Sequence, residues 1–377
     1  MARKFRYPHF REQIVESTRH DCKHRLLDLL DVRDILTLEN DRKGDIEQMP
    51  FQKATSCANS NIAFIKYWGN RDAALRIPLN NSISMNLDHA TTTTTVEFDA
   101  ALNDDQIVIG GTAVNDAQRA RVIAHLDRVR ALAHIETRAR VQSQNNFPIG
   151  AGIASSASAF AALSLAATCA AGLELPEREL SVLARQGSGS ACRSIPGGFV
   201  EWLAGSENAN SYSVSIAPPE FWGLCDVIAI VSTEEKKVGS TDGHAAASSS
   251  HFLTERLNAL PARLARVRRA LFAHDLAALG PAIEEDAVEL HFVAMTSTPP
   301  IFYWSPAMVR VIEAARTWRR DGLAVYFTLD AGPNVHLICE VKDADQVAAR
   351  AREISDVQQV IVNAPGGAAR LVATHLF

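Results

Sequence analysis

The chain has six cysteines but no CxxC pair and no Cys/His spacing of a metal site. A zinc site and a disulfide framework are therefore not expected, and scattered thiols fit a reducing cytoplasm. No Lys follows a glycine-rich loop in the P-loop manner and no GxGxxG is present, which removes the two commonest nucleotide fingerprints. Charge is nearly balanced, 38 Lys and Arg against 43 Asp and Glu, without a block of one sign. No nucleic-acid partner is expected from such a surface. Long hydrophobic runs are also missing. The longest uncharged stretch, Val141 to Leu173, is mostly Ala, Ser and Gly, too weakly apolar to be read as a membrane span. The N-terminus has basic residues but no apolar segment behind them, and acidic residues begin at Glu12, so no targeting peptide is expected. What remains is 377 residues, 47% hydrophobic and 21% charged, the composition of a globular protein long enough for two cores.

Residues 1–50 form a charged segment with leucine pairs at 26–27 and 29–30, expected to be a helical extension, with Met49 as a possible alternative start. From Lys53 the texture is β-rich: strands are predicted over Ala54–Tyr67, Ser82–Leu87 and the threonine run Thr91–Thr95 into Phe98, with a hairpin at Ile107–Val114. Helical spacing of Val122, Leu126, Val129 and Ala133 predicts a helix over 117–138, and a strand from Ala139 follows. An Ala-rich helix to about Ala171 and a short one from Pro176 to Arg185 come next, then strands near Phe199–Trp202 and Cys225–Ser232. From His244 to Arg320 the pattern is mainly helical, broken at Pro299-Pro300. The chain closes with strands at Ala324–Leu329, Val335–Glu340 and near Val360, and a helix over Ala344–Ile354. The expectation is an α+β chain divided into 1–50, 51–234 and 235–377.

Five stretches carry chemistry. In Pro148-Ile-Gly150-Ala151-Gly152-Ile-Ala-Ser155-Ser156, glycines let backbone N–H groups approach an anion at a helix start, and the serines can cap the helix or reach a phosphate. A tight loop before a buried helix reads the same way. Lys66-Tyr67-Trp68-Gly69-Asn70 ends an apolar strand with a cation at the rim of a core, which a snorkelling lysine also explains. Gly187-Ser188-Gly-Ser190-Ala-Cys-Arg193-Ser194 leaves room beside one guanidinium for a carboxylate or phosphate, unless it is a surface loop. Asp330-Ala-Gly-Pro-Asn334 puts a carboxylate at a strand tip, where it can also simply open a turn. Glu235-Lys236-Lys237 through Gly243 is a loop with two cations, or a solvated linker.

Together, and in this order, these stretches resemble the GHMP kinase superfamily and, within it, the mevalonate diphosphate decarboxylase family. Asn61–Trp68, Asn145–Ala157, Gly187–Trp202 and Asp330–Asn334 carry the likeness, which spans roughly residues 53–365 and leaves the N-terminal segment outside. The resemblance implies a two-domain α+β fold with the active site in the interdomain cleft, a homodimer, and ATP with Mg²⁺; the weakly apolar runs noted above lead to no expected membrane partner. The implied reaction phosphorylates the 3-hydroxyl of a 5-phosphorylated mevalonate and then loses phosphate and CO2 to give an isopentenyl product. By the same resemblance Asp330, Lys66 and Arg193 are catalytic. Tyr67, Asn70, Ser188, Ser190, Arg193, Lys236 and Lys237 bind substrate. Pro148, Gly150, Ala151, Gly152, Ser155 and Ser156 bind ATP, with Ser156 near the metal.

The sequence departs from that pattern in two places. Diphosphate-using members read Tyr-Trp-Gly-Lys, whereas Asn70 stands here, and Glu285-Asp-Ala-Val-Glu-Leu-His291 replaces an Asp-Ser-Asn-Gln-like segment. Both resemble the phosphomevalonate decarboxylase branch, so mevalonate 5-phosphate is the expected substrate and the 5-diphosphate the alternative. A kinase without decarboxylation would need no Arg193 and Lys66 beside Asp330, and a non-catalytic binder would have lost at least one of the three.

Overall fold

The computed structural model describes residues 53–147, 155–234 and 237–377. The expected extension over 1–50 and the positions Pro148, Gly150, Ala151, Gly152 and Lys236 lie outside the described residues. The elements in order are β1 (Ala54–Ile65), β2 (Asn70–Asp72), β3 (Ile77–Pro78), β4 (Ser82–Phe98), β5 (Gln106–Ile109), β6 (Thr112–Ala113), α1 (Asp116–Ala133) and β7 (Ala139–Asn145). Then come α2 (Ser155–Ala170), α3 (Glu177–Gly187), a 3-10 turn at Gly189–Ser194, β8 (Phe199–Leu203), β9 (Tyr212–Ala217) and β10 (Leu224–Ile230). The remainder is α4 (Ser240–Ala246), α5 (Leu253–Phe272), α6 (Leu276–Met295), α7 (Pro306–Arg320), β11 (Val325–Thr328), β12 (Val335–Glu340), α8 (Val341–Arg352), β13 (Gln359–Asn363) and β14 (Arg370–Leu371).

Most expected elements are present, with instructive differences. The two strands expected at 82–87 and 91–98 are one 17-residue strand, because β4 absorbs an irregularity opposite Asn59 and Ser60 without leaving the sheet. Two of its threonines make buried polar contacts: Thr92 Oγ1 lies 2.7 Å from Ser158 Oγ, and Thr94 Oγ1 2.9 Å from Ser143 Oγ. The helix expected over 117–138 stops at Ala133, where His134 turns left-handed at φ 55°. β9 and β14 were not expected from the sequence.

β14, β1, β4, β7, β5 and β6 follow one another in the first sheet, with β8 pairing β4 and β9 completing the edge. All pairs are antiparallel except β5 with β7. The Ala-rich α2 lies on β1 and β4 so closely that Ser56 Oγ donates to Ala162 O at 2.6 Å, an approach that larger side chains would prevent. The second sheet runs β11-β12-β10-β13, wholly antiparallel. Ile62, Phe64 and Met85 of the first sheet share a core with Leu264 and Val267 of α5, Ile283 of α6, and Ile228 and Ile338 of the second. β10 falls within the segment expected over 51–234, and its partners are β12 and β13 of the second sheet.

Candidate active site

Several chain segments line one cleft of about 520 Å³, and four of them shape its chemistry. The first is the end of β1. Lys66 follows a strand whose twelve residues are all buried, so its side chain cannot snorkel out. It is 2% exposed, and its Nζ donates to Ala63 O at 2.6 Å and to Asp330 Oδ1 at 2.8 Å. Its backbone N–H donates to Asp286 Oδ2 at 2.7 Å. Asp286, on α6, is in turn bound by Arg256 and Arg263, so the strand end is anchored by a buried ionic cluster.

The second segment is the loop after β11, which carries Asp330. Asn334 Oδ1 accepts from Val231 N at 2.7 Å and from Ser232 N at 3.1 Å, closing the loop onto the end of β10. Asp330 is thereby aimed at Lys66 from the second sheet. Burial pushes its carboxyl up, but the Lys66 ammonium, with His336 and Arg193 beyond it, outweighs burial and holds the group below the ordinary carboxylate value. Burial conversely lowers the Lys66 ammonium against the pull of Asp330.

The third is the 3-10 turn. Arg193 is buried; its Nε and Nη2 donate to Asn61 Oδ1 at 3.2 and 3.0 Å, and its Nη1 to Ser82 Oγ at 2.8 Å. No carboxylate pairs with it among the described residues, so a buried cation is presented with neutral support. Gly189 permits the turn to press on Tyr67: a Cβ there would lie 2.5 Å from the ring. Ser188 Oγ lies 3.1 Å from Ser156 Oγ at the start of α2, joining the two small-residue segments.

The fourth is α4, where a loop of mixed charge was expected. His244 stacks on Tyr67 at 3.9 Å, and its Nδ1 accepts from Gly69 N at 3.0 Å, with Gly69 at φ 89°. The cleft wall here adds Ser240, Thr241 and Lys237.

The cleft thus brings together Lys66, Tyr67, Ser155, Ser156, Ser188, Ser190, Arg193, Lys237 and Asp330. Asn70 is not among its lining residues; its Oδ1 accepts the Tyr67 hydroxyl proton instead. Sequence reasoning missed Arg76, Arg121 and His244, which also line the cleft. No motif marks them, since each reaches the cleft only through tertiary packing. Among the described residues no group of three or more His, Cys, Asp or Glu could hold a metal. Hydroxyls beside a single carboxylate suit a Mg²⁺ that arrives already bound to nucleotide phosphates.

Comparison with known proteins settles the relationship. Residues 58–213 match the diphosphomevalonate decarboxylase-like N-terminal domain, and residues 226–368 match the mevalonate 5-diphosphate decarboxylase C-terminal domain. The chain belongs to the mevalonate diphosphate decarboxylase family. Within the family, it is 37% identical over 326 residues to diphosphomevalonate decarboxylase mvd1 of Aspergillus fumigatus, covering 80% of each chain. It is 35% identical over 297 residues to the phosphomevalonate decarboxylase of Haloferax volcanii, covering 78% of this chain and 90% of that one. A solved complex of MDDEF with MVAPP, AMPPCP and magnesium superposes with a TM-score of 0.81 at 36% identity, over 85% of this chain and 99% of that one. The α+β fold is therefore that of the family.

Proposed function

We propose that the protein catalyses ATP-dependent decarboxylation of a 5-phosphorylated mevalonate in isoprenoid synthesis, with mevalonate 5-phosphate as the preferred substrate and isopentenyl phosphate as product. The observation that carries it is the Lys66–Asp330 pair facing the same cleft as the buried guanidinium of Arg193. Asp330 accepts the proton of the 3-hydroxyl as its oxygen attacks the terminal phosphorus of ATP, and ADP leaves. Lys66 supplies positive charge where negative charge gathers. The C3 phosphate then departs with its C–O electrons. Arg193 holds the carboxylate in place while the C–C bond electrons form the double bond and CO2 is released. Ser188, Ser190 and Tyr67 orient the substrate; Ser155 and Ser156, with the glycine-rich sequence that precedes them, take the ATP phosphates. Mg²⁺ would come with ATP near Ser156 and neutralise phosphate charge.

The preference for the monophosphate is supported by Asn70, which offers no cation and turns to Tyr67. The 5-diphosphate is the second reading, favoured by the exposed cation Lys237 on the cleft wall. We further propose that domains divide along the two sheets, that the protein is a cytoplasmic homodimer, and that neither nucleic acid nor membrane is a partner. Among the described residues no helix is long and apolar enough to cross a membrane. The test is CO2 release with ATP, run in parallel on mevalonate 5-phosphate and mevalonate 5-diphosphate. A higher kcat/KM on the monophosphate supports the proposal, a higher value on the diphosphate transfers it to the second reading, and no release from either rejects both. Sedimentation at micromolar concentration checks the dimer.

A further inference from the structure

The hairpin that turns Asn70 away from the cleft brings another side chain into it. β2 and β3 pair Asn70 with Pro78 and Asp72 with Ile77, and the turn between them ends at Arg76. Arg76 has φ 52°, a left-handed conformation that non-glycine residues adopt rarely. The surrounding bonds impose it: Asp72 Oδ1 accepts from Leu75 N at 2.8 Å, and the buried Arg185 donates to Leu75 O at 2.6 Å. Arg76 Nε then donates to Gln186 O at 3.2 Å, seating the guanidinium at the end of α3 where the Gly187–Ser190 segment begins. Arg121 of α1 leans on the next carbonyl, Gly187 O, at 3.4 Å, with its guanidinium over the Phe160 ring. Both arginines line the cleft, and among the described residues neither forms an ion pair. Nor do the Nη atoms of Arg76 make a hydrogen bond there.

Two guanidiniums set beside one another without a carboxylate repel. Burial first, and Arg76 second, lower the affinity of Arg121 for its own proton. An arrangement of this kind is relieved by a dianion, and the planar donor fork suits a phosphate monoester. We propose that Arg76 is a specificity-determining ligand of the substrate's 5-phosphate, delivering from the end of the hairpin the cation that position 70 lacks. The assignment rests on the reading of Ser188 and Ser190 as the substrate-phosphate side of the cleft.

The test uses Arg76→Asn, which removes the charge with a residue that tolerates the left-handed backbone, and Arg76→Lys, which keeps a charge. Binding of mevalonate 5-phosphate without ATP is measured by calorimetry, alongside kcat and KM for both substrates and for ATP. Arg76→Asn is expected to weaken mevalonate 5-phosphate by roughly ten- to hundred-fold in Kd and KM, the size of a lost charged hydrogen bond. The KM for ATP should stay within about two-fold, the thermal midpoint should not fall, and Arg76→Lys should recover part of the loss. A rise in the ATP KM with substrate binding unmoved would give the arginine to the nucleotide and overturn the proposal. So would no change in either. If the wild type prefers the diphosphate, the monophosphate reading fails separately. Arg76 is then still a phosphate ligand if Arg76→Asn weakens the diphosphate by the same factor, and is rejected if it does not.

Discussion

Asp330 is the residue on which the chemistry turns, because it is the carboxylate within reach of Lys66 Nζ at the cleft. Asp330→Asn keeps the shape but cannot take a proton. ATP-dependent CO2 release should fall by at least about 10²–10⁴-fold, with nucleotide binding and the circular dichroism spectrum retained. Activity within a few-fold of wild type would remove Asp330 from the reaction. The pH dependence follows from the sign of its shift. A carboxyl whose folded pKa lies below its unfolded value of about 3.9 contributes stability above that value and loses it as pH falls through the lower folded pKa. The acidic limb of kcat/KM should therefore lie below about pH 4, and a midpoint near 6 would assign it to another group. At this scale the sequence showed which residues to watch but not how they behave. Lys66 could have been a snorkelling lysine and Arg193 a surface one, and only burial at 2% and 3% exposure excludes both. Arg76 was illegible because its importance depends on a left-handed turn and on Arg121, which lies far along the chain.

The elements that hold the site do so through contacts between distant segments. Asp286 on α6 is wholly buried and binds the Lys66 amide, Arg256 and Arg263 together. Asp286→Ala leaves two buried guanidiniums short of a partner and should lower unfolding free energy by about 3–5 kcal/mol, read from the urea midpoint at constant slope. A loss below about 1 kcal/mol would show that Glu285 and Glu289 neutralise the arginines unaided. The 3-10 turn has a different vulnerability. Tyr67 is held between His244 and Trp202, with ring centroids 3.9 and 4.6 Å away, so a methyl group at 189 has no easy space. Gly189→Ala should reduce kcat/KM by about ten- to hundred-fold through displacement of the ring. Unchanged kinetics would mean that the turn yields instead of Tyr67.

At the scale of the molecule, the described residues that line the cleft run from Ala63 to Ala331. A chain starting at Met49 should accordingly retain its turnover number within about two-fold, with any effect confined to stability or assembly. A folded but inactive truncation would give the first segment a place in the site. β10, an apolar strand buried throughout, shows where local sequence stops deciding. An apolar strand carries no mark of which sheet it will join, because that choice is made by hydrogen bonds to β12 and β13, which come later in the chain.

Local chemistry was enough to determine much of this protein. Periodicity and turn residues located most helices and strands, and the order of small, cationic and acidic motifs marked many of the polar groups that meet in the cleft. Those signals are written in neighbouring residues, so a sequence can carry them. The tertiary structure alone decided that Lys66 meets Asp330, that Asn70 faces Tyr67, and that Arg76 and Arg121 stand together without a counter-ion among the described residues. Each of these depends on segments brought together from distant parts of the chain, where burial and pairing set the charge and direction of a side chain whatever its neighbours in sequence are.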